Sequence, residues 1–534
     1  METISQPPNL LIENNRVIRV PFLVKGQLIT PPEMSRDVIE KAFASVDADI
    51  DYLKLPDAQL LRERIIDRST MRYTTEYRYQ LLPAVNSPAL LEQEFDQLVQ
   101  GPYALKVTEI LDYLATIAAA LTENHLLLER VRELCRQTTE LPDVYLDAAF
   151  ATFAHGFDGE TAQVMIDQEL AAWSKPGHEF LDGWVATPAQ VLPNLVALLA
   201  HDLPGQTKTT LQQTASAYIR AMPTRQLHIT AGNAPSIPIV SALRLLLTKS
   251  VGVIKLPAGA ILPGALFALV LATVVPDHPL TQHLSMVYWQ GGDESVEQAL
   301  FMPNAFDRII VWGAPGAVTA VQSKALFTKT LAFNPRYGIS LIGREAFSDN
   351  LAIVVGQAAL DTLINNQKAC NAAQIHYVEG TLEQANIYAE QLRTVLSQWD
   401  TTAPQPVAPA ARGQLKRMKR GKYASATWHL NTKGGEFQSG VVVMPDEFDI
   451  LDHPMCRLVI VRCVDSLQAV FPYLHAGIST VGIYPEARRL ALRDALAARG
   501  VSSILPLGQC ERFYAGMPHD GMLVLSQLVE WKNA

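Results

Sequence analysis

Apolar and polar positions follow two rhythms along this chain of 534 residues. From residue 226, short apolar runs at Leu227–Thr230, Val251–Ile254, Leu284–Tyr288 and Arg308–Val311 alternate with helix-like stretches. Brief apolar runs separated by helical segments predict βαβ units around a parallel sheet. Between the first two runs, Ile239–Leu247 is apolar on most faces and predicts a buried helix. Ile261–Val275 contains Pro263 and Gly264 and stops at Pro276. It is too short to span a bilayer and predicts a core helix. A second alternating block runs from 351 to about 500, with strands predicted at Ala352–Val355, Ile375–Val378, Gly440–Met444, Leu458–Val461 and Thr480–Ile483.

The first part of the chain is less regular. Glu92–Gln137 reads as helices, with Ile110, Leu114, Ile117 and Leu121 on one face. Val20–Ile29 predicts a strand or hairpin. Arg36–Asp47 and Asp57–Ser69 predict helices, the second preceded by Pro56. Thr401–Lys422 is Pro/Ala-rich and then basic, and predicts an exposed connection.

Composition narrows the class. Hydrophobic residues make up 49% and charged residues 18%, a globular balance. A net charge of −9 argues against a nucleic-acid partner, which needs a basic surface. The five cysteines lack metal-ligand pairing, so no metal site is expected. The opening METISQPPNLLIENNRVIRV is polar and carries acid, unlike a secretory signal. Reduced thiols in a cytoplasmic protein are the expectation.

Three turns carry candidate chemistry. Cys370 lies in NNQKACNAAQ, after a helix-like stretch and before an apolar run. Small and amide neighbours suit a nucleophilic thiol whose acyl product needs an oxyanion site, and a polar setting or helix N-terminus would lower its pKa. Asn233 sits in the turn of LHITAGNAPSIP, and Lys255 ends the strand of GVIKLPAG. Two further strand-to-turn segments, Tyr288–Asp293 with Gly291 and Gly292, and Val311–Val318 with Gly313, offer bare N–H groups to a phosphate. Neither is GxGxxG.

The order Asn, Lys, Cys resembles the aldehyde dehydrogenase superfamily. The closer resemblance is to the LuxC-type acyl-CoA reductases, or long-chain fatty-acid reductases. It is carried by AGNAPSIP at 231–238, LLLTKSVGVIKLP at 245–257, PDHPLTQHLSMVYWQGGD at 276–293, FDRIIVWGAPGAV at 306–318, NNQKACNAAQ at 365–374 and GMPHDGM at 516–522. The resemblance implies an α/β fold with a Rossmann-type cofactor domain and an α/β catalytic domain. The divisions expected are an N-terminal extension (1–80), an NADP-binding domain (81–345), a catalytic domain (346–505, with linker 401–422) and a C-terminal segment (506–534).

In that resemblance Cys370 is the nucleophile and Asn233 helps bind the oxyanion. Lys255 contacts the cofactor ribose, and Gly291, Gly292 and Gly313 line the dinucleotide. Asp452 falls where an acid contacts the nicotinamide ribose. Ala258 stands where NAD-preferring relatives carry a glutamate that repels a 2′-phosphate, so NADPH is the cofactor implied. The segment Arg336–Gly343 lacks the glutamate with which aldehyde oxidisers activate water. The activity implied is reduction of acyl-CoA or an acyl-protein thioester to an aldehyde through an S-acyl cysteine, with an acyl-protein synthetase as donor partner and a homo-oligomeric assembly. An NAD(P)-dependent aldehyde or acylating semialdehyde dehydrogenase, and a non-catalytic scaffold subunit, remain alternatives. His376 reads as structural, and His519–Asp520 as a turn or an approach to the site.

Overall fold

The computed structural model describes residues 10–47, 50–188, 216–512 and 514–534. Two seven-stranded sheets organise the molecule. The first runs, in spatial order, Lys329–Phe333, Arg308–Trp312, Arg225–Ile229, Val251–Lys255, Leu284–Val287, Phe22–Val24 and Gln27–Ile29. Its first five strands are parallel, and Phe22–Val24 adds antiparallel at the edge. Its parallel part begins at Arg225–Ile229, builds outward through Leu284–Val287, then returns to the other side of that strand. Such a reversal opens a crevice at the strands' carboxyl ends, where open α/β sheets bind ligands.

The second sheet runs Thr427–Lys433, Glu436–Met444, Leu458–Val464, Ala373–Glu379, Tyr337–Ile342, Ile478–Tyr484 and Ser503–Pro506. It is parallel apart from the Thr427–Lys433 edge hairpin. Cys370 lies just before Ala373–Glu379. The helix Ile261–Val274 is apolar all round and buried over most of its length, which is why the sequence shows no polar face there. Among the described residues no helix is long and apolar enough to cross a membrane.

Three expectations are corrected. Asp57–Ser69 is not a helix: Ala58–Asp67 is a strand paired antiparallel with Arg72–Pro83. Its apolar spacing (Leu60, Leu61, Ile65, Ile66) fits either period, and the partner strand decides. Asp67 closes the hairpin by accepting from Ser69 and Thr70. Ala352–Val355 is not a strand but the start of the helix Leu351–Leu363, capped by the Asn350 side chain accepting from the Ile353 N–H at 3.3 Å. Thr401–Lys422 is not a simple connection: Pro409–Arg420 is a helix. Pro409 starts it, Leu415 and Met418 bury one face, and Arg417, Lys419 and Arg420 complement the dipole in its last turn. The opening nine residues, part of the non-secretory reading, lie outside the described residues.

Candidate active site

The strand Arg225–Ile229 runs into the turn bearing Asn233, and Val251–Lys255 into the turn bearing Ala258. The two turns touch. A Cβ on Gly259 would sit 2.8 Å from the Gly232 carbonyl oxygen, so the close approach requires glycine there. Asn233 reaches across to the second sheet. Its Nδ2 donates to the Lys368 carbonyl at 3.2 Å, and Asn365 Nδ2 donates back to the Asn233 carbonyl at 3.0 Å. The Asn233 amide and the Cys370 loop thus meet between the sheets.

That loop has an unusual backbone. Asn365, Asn366 and Gln367 all have positive φ, at 45°, 55° and 67°. L-residues avoid this region, so neighbouring groups must hold it. Asn366 donates to Gln405 Oε1 at 2.6 Å, and Gln367 donates to the Leu458 carbonyl at 2.7 Å. Arg457, wholly buried, donates to Asn366 Oδ1 at 2.6 Å and pairs with Asp400 at 3.1 Å. Beyond the loop, Ser479 Oγ donates to the Cys370 carbonyl at 2.5 Å. Lys368 pairs with Glu140 at 2.7 Å, tying the loop to the N-terminal half.

The Cys370 thiol does not rest as a thiolate. Burial pushes its pKa up to about 11, and the Asp520 charge adds to that. The N–H groups of Cys370 and Asn371 and the Arg336 cation pull the other way without prevailing. The polar sequence neighbours suggested a depressed pKa, but desolvation dominates.

The His519–Asp520 segment is both a turn and close to the site. His519 and Met522 form an isolated bridge, and Asp520 has φ 51°. His519 lies 5.2 Å from Phe333, ring to ring, with Arg244 Nη2 3.0 Å from its Nδ1. Burial and the nearby arginines push its pKa down to about 3, so the ring is neutral. Trp312 and Phe333 stack at 3.8 Å between centroids. Arg244, Trp312, Phe333 and Arg336 were not singled out from sequence, because they converge from separate elements. Only the neighbour relation of Trp312 to Gly313 gave a hint. His376 is structural, held between Thr362 Oγ1 at 3.0 Å and the Tyr388 hydroxyl at 2.8 Å.

The cofactor candidates divide. Lys255 points its ammonium between Tyr288 and Trp289, at 5.6 and 5.2 Å from the ring centroids. Among the described residues it makes no hydrogen bond, and burial lowers its pKa to about 8. A half-buried donor left without a hydrogen bond at the crevice suits a ribose hydroxyl. Gly291, Gly292 and Gly316 have nothing within 4 Å of where a Cβ would be, leaving open space at the strand ends. Gly313 precedes the helix Pro315–Lys324, whose free N–H groups face an anion well. These residues fit a dinucleotide. Ala258 borders a cavity of about 280 Å³ shared with Asn233 and Lys368. Asp452 sits apart in the second lobe, taking the Tyr423 hydroxyl at 2.6 Å with Lys422 at 3.6 Å. None of its bonds reach the Lys255 crevice. Arg336 precedes a strand of the second sheet, Tyr337–Ile342, whereas the strand beside the Gly313 turn is Lys329–Phe333. That strand carries no carboxylate either.

Paired α/β lobes around this crevice define an aldehyde dehydrogenase fold. Lactaldehyde dehydrogenase from Escherichia coli superposes with a TM-score of 0.65 at 15% identity, over 96% of this chain and 98% of that one. NADP-dependent glyceraldehyde-3-phosphate dehydrogenase from Bacillus halodurans, complexed with NADP, gives 0.63 at 12% identity, over 97% and 99%. The profile of the family Acyl-CoA reductase (LuxC) matches residues 191–531, and the chain belongs to that family. The long-chain acyl-protein thioester reductase of Photorhabdus laumondii is 30% identical over 328 residues, and that of Vibrio harveyi 27% over 327. Each alignment covers 59% of this chain and 65% of the relative, so the chain spans just under two thirds of the relatives it matches.

Proposed function

We propose that this protein reduces an activated acyl group to an aldehyde through an S-acyl intermediate on Cys370, with NADPH as reductant. The observation that carries the reading is the junction of Asn233 with the Cys370 loop, at 3.2 Å, beside a crevice whose half-buried lysine has no hydrogen-bond partner among the described residues. Cys370 attacks the thioester carbonyl of an acyl-CoA, or of an acyl group delivered by an acyl-protein synthetase. The Asn233 amide and the Cys370 N–H hold the oxyanion, and the donor thiol leaves. A bound nicotinamide cofactor supplies the hydride that reduces the acyl carbon. Lys255 holds its ribose, and Gly291, Gly292 and Gly313 leave room for its phosphates. The carbon–sulfur bond then breaks, freeing the aldehyde and Cys370. Lys329–Phe333 carries no carboxylate to activate water from that strand. Ala258 admits a 2′-phosphate, whereas Asp452, engaged by Tyr423 and Lys422, has only the resemblance to support a contact to the nicotinamide ribose. Homo-oligomeric assembly belongs to the same reading.

Intact-mass spectrometry tests it. Wild-type protein mixed with tetradecanoyl-CoA should gain one acyl mass and lose it on adding NADPH, with tetradecanal appearing. Cys370→Ser should gain none while melting normally. A hydroxylamine-sensitive adduct surviving in Cys370→Ser would remove Cys370 from the role.

A further inference from the structure

A thiol with a pKa near 11 needs something to take its proton when it attacks. The usual acid of the cofactor-side sheet is missing, since Lys329–Phe333 carries none. The C-terminal turn supplies one. Arg336 and Cys370 are anchored together: the Ser479 hydroxyl donates to the Cys370 carbonyl at 2.5 Å and lies 3.5 Å from that of Tyr337, next in chain to Arg336. The Gly338 N–H donates to the Ala372 carbonyl at 2.9 Å, pinning the same two segments. From this anchor Arg336 Nε reaches Asp520 Oδ2 at 3.7 Å and its Nη1 donates to Ser502 Oγ at 2.7 Å.

Asp520 is 8% exposed. Its carboxylate accepts no hydrogen bond from any described residue, and its backbone is held left-handed at φ 51°. The turn is fixed from behind by the His519–Met522 bridge and by the Arg244 contact to His519. A carboxylate left short of hydrogen bonds, on a constrained backbone, and tied through Arg336 to the segment that holds the half-buried Cys370, is arranged for proton transfer rather than for packing.

We propose that Asp520 is the proton carrier for Cys370, with Arg336 as the residue that positions its carboxylate. This rests on the reading of Cys370 as the acyl acceptor. Asp520 takes the thiol proton as sulfur bonds to the acyl carbon, and passes it to the departing donor thiolate. After hydride reaches the acyl carbon and the carbon–sulfur bond breaks, Cys370 leaves as thiolate and regains a proton from solvent through Asp520. Each turnover consumes one thioester, one hydride and one proton, and yields one aldehyde and one thiol.

The surrounding charges agree with the assignment. Burial raises the Asp520 pKa toward that of a usable acid, while Arg336 and Arg244 restrain the rise. Arg336 is the cation acting on Cys370, Lys368 is engaged by Glu140, and His519 is neutral.

Two readouts on full-length protein test the proposal: the pH profile of Cys370 alkylation by iodoacetamide, located by peptide mass, and the rate of acylation by tetradecanoyl-CoA. In Asp520→Asn the alkylation midpoint should fall, because a negative charge facing the thiolate is gone. Acylation should nevertheless slow by roughly 10²-fold or more, the usual worth of a general base. Opposite movement of the two is the signature. Loss of structure would also lower the midpoint by solvating the thiol, so the signature counts only in a variant whose melting temperature matches the wild type. Asp520→Glu should recover part of the acylation rate. An unchanged alkylation midpoint overturns the proposal, and so does unimpaired acylation. If wild-type protein takes no acyl group, the functional reading and the proton-carrier role fail together, while a shifted midpoint would still establish that Asp520 faces Cys370.

Discussion

Lys255 shows how a single residue is made costly for a purpose. Its half-buried ammonium lies against two aromatic faces, without a hydrogen bond among the described residues, and its folded pKa is lowered from 10.5 to about 8. Between those values the unfolded chain binds more protons than the folded one, so this group makes stability rise with pH across the window. Its penalty is complete below about pH 8 and gone above the unfolded value, and amounts to something on the order of 3 kcal/mol. In the cofactor-free protein, Lys255→Met should therefore be more stable than wild type at pH 7, and the gap should close toward pH 10. Urea unfolding of both proteins at several pH values reads this directly. A gap independent of pH would mean the ammonium is better solvated than its surroundings indicate. The lysine was legible in sequence because it ends a strand and opens a turn, as Asn233 and Cys370 also mark turns. Arg244, Trp312, Phe333 and Arg336 were not, because each is ordinary in its own segment and gains meaning only where segments converge.

At the scale of elements, the Cys370 loop depends on a polar scaffold rather than an apolar one. Three consecutive left-handed residues, Asn365 to Gln367, are held through their side chains by Asn233, Gln405, Arg457 and the Leu458 carbonyl, with Gln367 Oε1 left unpaired among the described residues. Arg457 is the keystone. It is wholly buried, and removing it strands Asp400, Asn366 Oδ1 and the Ala403 carbonyl, which it meets at 2.7 Å. Breaking a buried pair by deleting one partner typically costs about 3–5 kcal/mol. Arg457→Met is expected to lose that much, and to slow Cys370 acylation further as the loop relaxes. Denaturant midpoints together with acylation rates measured well below the melting transition would check both parts. Unchanged stability would contradict the scaffold role. Sequence reading placed the loop because its amides cluster around Cys370, but could not see that Arg457 and Gln405 hold it. Elsewhere the same limit produced errors of element type. The apolar run at Ala352–Val355 and the spacing at Asp57–Ser69 fit either period, and a capping side chain and a partner strand decided each.

Over the whole molecule, the alternating βαβ pattern after residue 226 made the parallel sheets legible, while the first part of the chain had too little periodicity to reveal that Phe22–Val24 and Gln27–Ile29 extend the first sheet. Phe22–Val24 pairs with the strand Leu284–Val287, and Ile18, Val20, Phe22 and Leu23 are buried in the same core as Ile254 and Leu266. Gln59, also buried, donates to the Tyr288 carbonyl at 2.9 Å, and Lys54 pairs with Asp293 at 2.5 Å, so the N-terminal sheet sits on the turn that carries Gly291 and Gly292. The tip of its hairpin meets the other lobe, where Arg72 lies 3.7 Å from Glu436. A chain beginning at residue 81 would expose that core edge and leave Leu284–Val287 unpaired on one side, a template for aggregation. Such a truncation is expected to be poorly soluble, to bind a hydrophobic dye and to melt without cooperativity, even though the family profile begins only at residue 191. Differential scanning calorimetry and NADPH titration on the truncated chain decide the point. A cooperative transition together with retained NADPH binding would show that these residues are a removable appendage.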